Sequence, residues 1–463
     1  MNARKRLLPV LVLVLLAASA AQAAFKLPAP EKLTLKNGIV VYFLKTAEVP
    51  MVSFRLYLKG AGSAQEPAEF EGIAGMTADQ IMKGTAKMGA DAVAEALDFM
   101  GARLDFSAAE EYAAISAESL SEHFPKVLDI ASACLTQPAF LDDEFKKSRE
   151  IALNELKSIK DNPGRAVRNY FQKAYFGTHP LGHFASGTEE SLAKMTAADV
   201  RAYYKKYYGP KGAIGALVGD IEKKQALALL NAAFGGWKGA DVPTAAMPPL
   251  PEPKGIKLLL VDKPDATQAY WILGAPGYAF GDKITPQATV MNSLFGGRFT
   301  SWLVTELRIK RGLTYHADSS FRTFRIGGLF QANSYTRNEK IGEMLDILFG
   351  LLKKVRTEGF TSEEIESSRN YVQGQFPPTL ETNGAKANAY VQLAFNHIGF
   401  DYYDKYLAGI QATTQASAKE AAIKLIPLEN YVLVVVGKAD EIRDQLKKYG
   451  TWTEKKISDP GFN

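Results

Sequence analysis

The feature that most constrains the fold of this chain is an internal repeat. In each copy, a threonine begins a helical pattern, a proline follows fourteen residues later, and an apolar strand then ends at a glycine. The matching positions are Thr196, Pro210, segment 213–218 and Gly219 in the first copy, and Thr413, Pro427, segment 431–436 and Gly437 in the second. Because such repeats mark duplicated structural units, we predict two domains of one fold.

A proline-rich segment separates the two copies. Residues 241–255 contain five prolines, a density that excludes a helix or a central strand. The 463 residues also exceed what one ordinary hydrophobic core accommodates. We therefore predict an N-terminal domain over 24–240, a linker over 241–255 and a C-terminal domain over 256–463.

Each half opens with predicted β-structure and continues with helical patterns. Asn37-Gly38 marks a tight hairpin between strands 33–35 and 39–43. Apolar residues then alternate with polar ones over 52–59, as in a sheet covered on one face. Segments 257–261 and 269–273 occupy the equivalent place in the second half. The fold class is therefore α+β, with an antiparallel-rich sheet and helices on one face in each domain.

The N-terminus has the pattern of a secretory signal peptide over residues 1–23. Three basic residues precede the apolar run 7–16, and Ala21-Gln22-Ala23 is a small-residue cleavage site. The apolar run is short for a membrane span, although an uncleaved anchor is the alternative. We expect a mature chain that begins near Ala24, is secreted across the inner membrane to the periplasm, and has no stable membrane insertion.

Composition excludes several classes of site. The net charge of +5 is spread along the chain and forms no basic stripe, so we expect no nucleic-acid partner. The single cysteine, Cys134, lies in an apolar stretch and is predicted to be a buried structural thiol. His179 and His183 flank Pro180 and Gly182, which indicates a structural loop rather than two metal ligands on one helix.

Several short motifs succeed one another along both halves. They are Gly72-Ile73-Ala74, Lys83-Gly84-Thr85, Asp161-Asn162-Pro163, His179-Pro180-Leu181-Gly182 and Gly187-Thr188, followed by residues 294–299 (LFGGRF), Leu307-Arg308 and Gly312-Leu313-Thr314-Tyr315. In order and spacing, this chain resembles the pitrilysin/insulinase family of zinc metallopeptidases. The resemblance covers essentially the whole predicted mature chain and implies the family's duplicated fold.

The family's inverted zinc motif, H-x-x-E-H, belongs between the first two of these motifs. On a helix, its two histidines bind Zn²⁺ and its glutamate activates the metal-bound water. In this chain the histidine positions hold Gly75 and Asp79, and the glutamate position holds Ala78. We therefore expect a degenerate motif, no metal bound by this chain and no peptidase activity from the chain alone.

The family's third zinc ligand is a glutamate about 76 residues farther on, where Glu155 stands. A lone helical glutamate is more commonly solvated or ion-paired. Asp79 and Glu155 together offer a hard cation two carboxylates, which makes a weak site without a catalytic base.

Two further features match the family's substrate-binding groups. Ser301 is predicted to cap a helix that ends at Gly312, with Arg308 on its last turn and Tyr315 on a following strand. The resemblance implies that Arg308 and Tyr315 bind the substrate backbone and assist the oxyanion in a composite site. Residues Leu104, Asp105, Phe106 and Ser107 match, more loosely, the edge strand to which an extended peptide adds.

Three hypotheses follow. The first is a non-catalytic, peptide-binding subunit that pairs with a zinc-bearing homologous peptidase subunit, as a heterodimer or larger assembly, and supplies Arg308 and Tyr315 to it. The second is a scaffold or peptide-binding protein with no enzymatic partner. The third is a peptidase with an unorthodox metal site at Asp79 and Glu155.

Overall fold

A computed structural model describes residues 26–241 and 247–462 of the chain. The predicted leader, the expected start at Ala24 and residues 242–246 of the predicted linker lie outside the described residues. The rest of that segment, Asp241 and 247–255, contains no helix or strand. The domain boundaries drawn above stay a prediction.

The first half contains six strands and the helices that pack on them, counted over the described residues. The strands are β1 (Glu31–Thr34), β2 (Val40–Lys45), β3 (Met51–Lys59), β4 (Arg103–Ala108), β5 (Tyr112–Leu120) and β6 (Ile214–Gly219). The helices are α1 (Ile73–Ile81), α2 (Ala90–Phe99), α3 (Phe124–Thr136), α4 (Asp142–Asp161), α5 (Pro163–Phe176), α6 (Glu189–Lys194), α7 (Ala197–Tyr207) and α8 (Lys223–Ala233).

The second half follows the same plan within the described residues. Its strands are β7 (Ile256–Asp262), β8 (Gln268–Pro276), β9 (Ala317–Phe324), β10 (Gly327–Arg337), β11 (Tyr431–Gly437) and β12 (Thr453–Lys456). Its helices are α9 (Thr285–Asn292), α10 (Trp302–Val304), α11 (Ile341–Thr357), α12 (Ser362–Gln375), α13 (Asn383–Phe395), α14 (Tyr402–Ala412), α15 (Gln415–Leu425) and α16 (Ala439–Leu446). Single π-type turns continue α9 over Ser293–Gly297 and α10 over Thr305–Ile309.

The two sheets repeat one strand order. The first runs β1-β2-β6-β3-β5-β4 and the second runs β12-β7-β11-β8-β10-β9. In both, one parallel pair (β2 with β6, β7 with β11) adjoins an antiparallel meander that ends at β4 or β9. The sheets differ at the opposite edge, where β1 is antiparallel to β2 and β12 is parallel to β7. The predicted α+β class and duplication are confirmed.

The threonine cap of the repeat was predicted one residue early in the second copy. Thr196 caps α7 as expected, and its side chain accepts a hydrogen bond from the Asp199 N–H. In the second copy Thr414 caps α15, whereas the fully buried Thr413 ends α14 and donates to the Gly409 carbonyl. Adjacent threonines give one signal in sequence, and only the backbone conformation separates their roles.

The prediction that β3 is covered on one face was wrong. Ser53 and Tyr57, on the supposedly polar face, are 3% and 4% exposed. The cover comes from the other half of the chain: α13 packs on β3 and β6, and the Tyr57 hydroxyl donates to Asn388 Oδ1 at 3.0 Å. Helix α13 thus belongs to the second half in sequence and to the first sheet in space.

The exchange is reciprocal. Helix α5 of the first half packs on β8 and β11 of the second sheet. A Cβ added at Gly274 of β8 would lie 2.2 Å from Phe171 Cζ, so only glycine permits this approach. Ion pairs also join the β9–β10 hairpin of the second half to the β4–β5 turn of the first, Arg322 with Glu110 and Arg325 with Glu111. The two halves therefore share their cores.

Two other local predictions, for Gly38 and Cys134, agree with the structure. Gly38 has φ +89° in the β1–β2 turn, and Cys134 is a fully buried free thiol whose pKa burial raises to about 11. Within the described residues, no helix has the length and apolar character needed to cross a membrane.

Candidate functional site

Helix α1 carries the degenerate metal motif. It follows Gly72, whose φ of +90° only glycine adopts readily, and it buries Ile73, Ala74 and Ile81 in the first core. Gly75 and Asp79 line a cavity of about 350 Å³ between α1 and α4, and Glu155 of α4 lines the same cavity. Ala78 is 2% exposed and does not line it. The structure thus brings three of the four predicted positions together.

The Asp79 carboxylate is already engaged by neighbouring side chains. Its Oδ2 accepts hydrogen bonds from Ser148 Oγ at 2.6 Å and from Gln80 Nε2 at 3.1 Å. Its Oδ1 lies 3.2 Å from the Lys83 ammonium. Because Lys83 neutralises this carboxylate, a cation at Asp79 would have to displace an existing ion pair.

Gly75 has no room for a side chain. A Cβ at this position would lie 2.3 Å from the Ala185 carbonyl oxygen, which is backbone and cannot rotate away. A Cβ at Gly72 would likewise lie 2.4 Å from the backbone of Gly187 in the same loop. The loop 183–187 therefore occupies the space next to α1 into which a ligand side chain at position 75 would extend.

Two buried pairs hold this loop in place. His183 Nδ1 lies 3.2 Å from Glu66 Oε2, and Glu66 also accepts hydrogen bonds from the Gly72 and Ala74 N–H groups. Lys173 lies 2.9 Å from Glu71, which accepts a hydrogen bond from the Phe184 N–H. The carboxylates of Glu66 and Glu71 thus attach His183 and Phe184 of this loop to the segment at the start of α1.

Burial and hydrogen bonding shift the pKa values of the first pair. Burial raises the pKa of Glu66, and the hydrogen bond from His183 partly opposes that shift. The hydrogen bond to Glu66 raises the pKa of His183, against the effect of its burial. Because both pKa values are raised in the folded chain, the folded state gains stability relative to the unfolded state as the pH falls.

The residues at this position do not fit a zinc ion. Gly75 and Ala78 carry no ligand atoms, Asp79 is ion-paired, and Glu155 is exposed at the rim of the cavity. Across residues 26–241 and 247–462, no three His, Cys, Asp or Glu side chains are grouped as a metal site requires. We derive no catalytic step through a metal in this chain.

The second predicted group lies where α10 ends. Ser301 caps the helix, and Gly312, at φ +60°, ends its π-type last turn by donating to the Arg308 carbonyl. The Arg308 guanidinium lies 5.1 Å from the centre of the Phe299 ring. Tyr315 is 79% exposed. It lies two residues before β9 and not on a strand, which corrects the prediction.

Arg308 differs from the other cations of its helix. Lys310 and Arg311 both form ion pairs with Glu306. Within the described residues, the Arg308 side chain forms no ion pair, and Phe299 is its contact. Its N–H donors are therefore available at the surface.

The predicted substrate strand is an edge strand. Residues Leu104, Asp105, Phe106 and Ser107 lie on β4, which pairs with β5 on one side and ends the sheet on the other. The Ala109 N–H donates to the Tyr112 carbonyl in the hairpin. Because hydrogen-bonded pairs alternate along an antiparallel ladder, Asp105 and Ser107 pair with β5, while the N–H and C=O groups of Leu104 and Phe106 point outward.

Sequence reasoning missed the residues that close the degenerate site. Ser148 and Lys83 satisfy Asp79, and loop 183–187 blocks Gly75, through contacts between segments distant in sequence. His183 gave a partial signal, since a loop role was predicted for it and is confirmed. Phe299 ends the LFGGRF motif, but nothing in the sequence indicated its contact with Arg308.

Comparison with known sequences gives matches in both halves. The profile described as insulinase (peptidase family M16) matches residues 40–189, and that described as peptidase M16 inactive domain matches 194–372. An uncharacterised zinc protease, YmxG of Bacillus subtilis, is 26% identical over 77% of this chain and 86% of its own length. An uncharacterised zinc protease of Streptomyces coelicolor is 28% identical over 77% of this chain and 78% of its length.

Solved structures agree with the sequence matches. A peptidase M16 inactive domain from Pseudomonas fluorescens has a TM-score of 0.82 and 25% identity, covering 89% of this chain and 98% of that one. A protease from Helicobacter pylori has a TM-score of 0.82 and 21% identity, covering 89% of this chain and all of that one. With both halves matched in order, this chain belongs to the insulinase (M16) family of peptidases.

Proposed function

We propose that this chain is a non-catalytic, peptide-binding subunit that pairs with a zinc-bearing M16 homologue and supplies Arg308 and Tyr315 to a composite site. The observation that carries the proposal is the contrast within one chain. The first half lacks both histidines and the glutamate of the metal motif and keeps only Glu155 of the family's ligand set. Within the described residues, the second half keeps an arginine without an ion pair and an exposed tyrosine.

The setting of Arg308 supports a role in binding. The Phe299 ring, itself 61% exposed, orients the guanidinium without consuming its N–H donors. A planar guanidinium can donate two parallel hydrogen bonds to carbonyl or carboxylate oxygens. An exposed phenol such as Tyr315 can donate to an oxyanion as charge develops on it. Both groups are suited to a substrate presented by another chain.

The outward-facing groups of β4 support peptide binding. Within the described residues, no hydrogen bond is made to the outer N–H and C=O groups of Leu104 and Phe106. An extended peptide can pair with these groups as an added strand. Phe106 is 7% exposed, so the strand is anchored in the core while its edge stays accessible.

In this proposal the partner provides the zinc and the base, and this chain binds and orients the peptide. Two relatives of this chain are named zinc proteases, which supports a zinc-bearing partner from the same family. Location in the periplasm, directed by the leader over residues 1–23, is part of the proposal.

The test is reconstitution with a homologue that has an intact H-x-x-E-H motif. We expect chelator-sensitive cleavage of a test peptide from the mixture and from neither chain alone. Arg308→Ala should lower the rate of the mixture by about 10²–10³-fold, as loss of an oxyanion donor does. Arg311→Ala, which removes a cation already paired with Glu306, is the matched control and should change the rate little.

Two outcomes would contradict the proposal. Equal losses from Arg308→Ala and Arg311→Ala would reduce Arg308 to a surface charge. Full association without activity, unaffected by Arg308→Ala, would favour a scaffold with no enzymatic role.

A further inference from the structure

The duplication gives the degenerate metal cavity a counterpart in the second half. Helix α9 packs on α12 and α15 as α1 packs on α4 and α7, and the π-type turn after α9 packs on β9 as α1 packs on β4. A cavity of about 440 Å³ lies between α9, its π-type turn, β9, α12 and α14. Its α12 wall is Tyr371, Val372 and Gln375, which repeats the spacing of Ile151, Ala152 and Glu155 on α4.

The two cavities differ in charge. The first is lined by Asp79, Lys83 and Glu155. Among the described residues that line the second, none is charged, and its walls include the rings of Tyr278, Phe321, Tyr371 and Tyr406. The Tyr278 and Phe321 rings are in contact, with centroids 5.0 Å apart. A neutral aromatic ligand matches such walls because it loses little hydration and gains ring contacts.

One polar group of this cavity has no partner. Ser293, in the π-type turn, lines the cavity and is 6% exposed, and its Oγ has no hydrogen bond within the described part of the chain. A buried hydroxyl without a partner costs about 1–3 kcal/mol, which a ligand that bonds to it would recover. Single π-type turns inside helices also occur frequently at functional sites.

We propose that this cavity binds a neutral aromatic ring carrying a hydrogen-bonding group, of the phenol type, with Ser293 Oγ as its polar partner. The ring would lie between the aromatic walls, and its hydroxyl would bond with Ser293. This inference rests on the second half alone and does not depend on the proposed function. The ring can come from a small molecule or from a tyrosine side chain of a peptide, since both present the same chemistry.

The experiment is titration of the full mature chain with 4-fluorophenol, followed by ¹⁹F NMR, and with N-acetyltyrosinamide by competition. We expect saturable binding that Ser293→Ala weakens about five- to tenfold, the value of one neutral hydrogen bond. Tyr371→Ala removes an exposed wall without disturbing the core and should also weaken binding. Ser121→Ala is the matched control, because the Ser121 hydroxyl also has no partner among the residues that the structure describes but lies outside the cavity.

The two probes separate the sources of the ring. Binding of N-acetyltyrosinamide at least about tenfold tighter than 4-fluorophenol would identify a peptide side chain, and the reverse order would identify a free small molecule. The proposal is overturned if neither probe saturates below about 10 mM. It is equally overturned if binding is unchanged by both Ser293→Ala and Tyr371→Ala.

Discussion

The two halves of this chain share a strand order, but the edge strand β4 of the first sheet is open and the matching edge strand β9 of the second sheet is covered. In the first half, the outer groups of Leu104 and Phe106 on β4 have no hydrogen-bond partner among the described residues. In the second half, Asn292 Nδ2 donates to the Ser319 carbonyl of β9 at 2.8 Å, and a Cβ at Gly296 would lie 2.6 Å from the Ser319 nitrogen. Duplication thus preserved the architecture while one copy kept an open edge and the other covered it.

The same division holds for the helices that flank these edges. Helix α1 lost its metal ligands, and a loop now lies where one of them would extend. In the second half, Arg308 forms no ion pair with any residue that the structure describes, and its guanidinium contacts the Phe299 ring. The comparison shows that the residues at the metal position and the exposed Arg308 and Tyr315 lie in different halves of one fold, so the proposed function assigns the loss of catalysis and the retention of binding to separate halves.

The largest expected effect is on stability, and it tests whether the two halves unfold independently. Phe171 lies on α5, the helix of the first half that packs on the second sheet. Phe171→Ala should lower the free energy of unfolding by about 3–5 kcal/mol, because it leaves a cavity in a shared core. Urea unfolding followed by tryptophan fluorescence and circular dichroism should still show one transition. Phe99→Ala, at a residue 90% exposed, should change stability by less than about 0.5 kcal/mol. Two separated transitions would break the picture of shared cores.

The next effect tests the blocked metal position. Gly75→Ala should destabilise the chain by about 1–3 kcal/mol, because its methyl group meets the Ala185 carbonyl. Gly350→Ala, on α11 with nothing near its added Cβ, should instead stabilise by about 0.5–1 kcal/mol. Thermal denaturation of both variants measures the contrast. A Gly75→Ala chain as stable as the parent would show that loop 183–187 yields readily.

A pair of proline variants tests the open edge of β4. Leu104→Pro removes an outward N–H and should leave the fold intact while weakening binding of an extended peptide about tenfold or more. Asp105→Pro removes an N–H that pairs with β5 and should destabilise the sheet. Fluorescence anisotropy with a labelled peptide, alongside circular dichroism, separates the two effects. Peptide affinity unchanged by Leu104→Pro would place the peptide elsewhere.

The smallest effect is a pH dependence of the loop attachment. The pKa values of Glu66 and His183 are both raised in the folded chain. Above the pKa values that the two groups have in the unfolded chain, the folded chain holds more protons than the unfolded chain. The free energy of unfolding therefore decreases as the pH rises. When the pH rises from about 5 to about 8, the free energy of unfolding should therefore decrease less in Glu66→Gln than in the parent. Glu69→Gln, at an exposed position, should show the same decrease as the parent. Parallel urea-unfolding curves for Glu66→Gln and the parent would contradict the assignment.

Local sequence signals predicted the repeat, the hairpin at Gly38 and the cap at Ser301, because turns and caps depend on residues close in sequence. The resemblance to the family's zinc motif located Gly75, Asp79 and Glu155, which the fold brings to one cavity. Local sequence signals do not indicate contacts between segments that are distant in sequence. Nothing near Tyr57 indicates that α13 buries it, and nothing near Gly75 indicates the Ala185 carbonyl. The expected strand at Tyr315 failed because Thr314 forms a local turn, accepting a hydrogen bond from the His316 N–H.

The most direct test of the account is zinc content and peptidase activity measured on the isolated, homogeneous chain. The residues at positions 75, 78 and 79 predict less than about one tenth of an equivalent of bound zinc and no chelator-sensitive cleavage of a test peptide. A stoichiometric, tightly held zinc ion accompanied by turnover would contradict it.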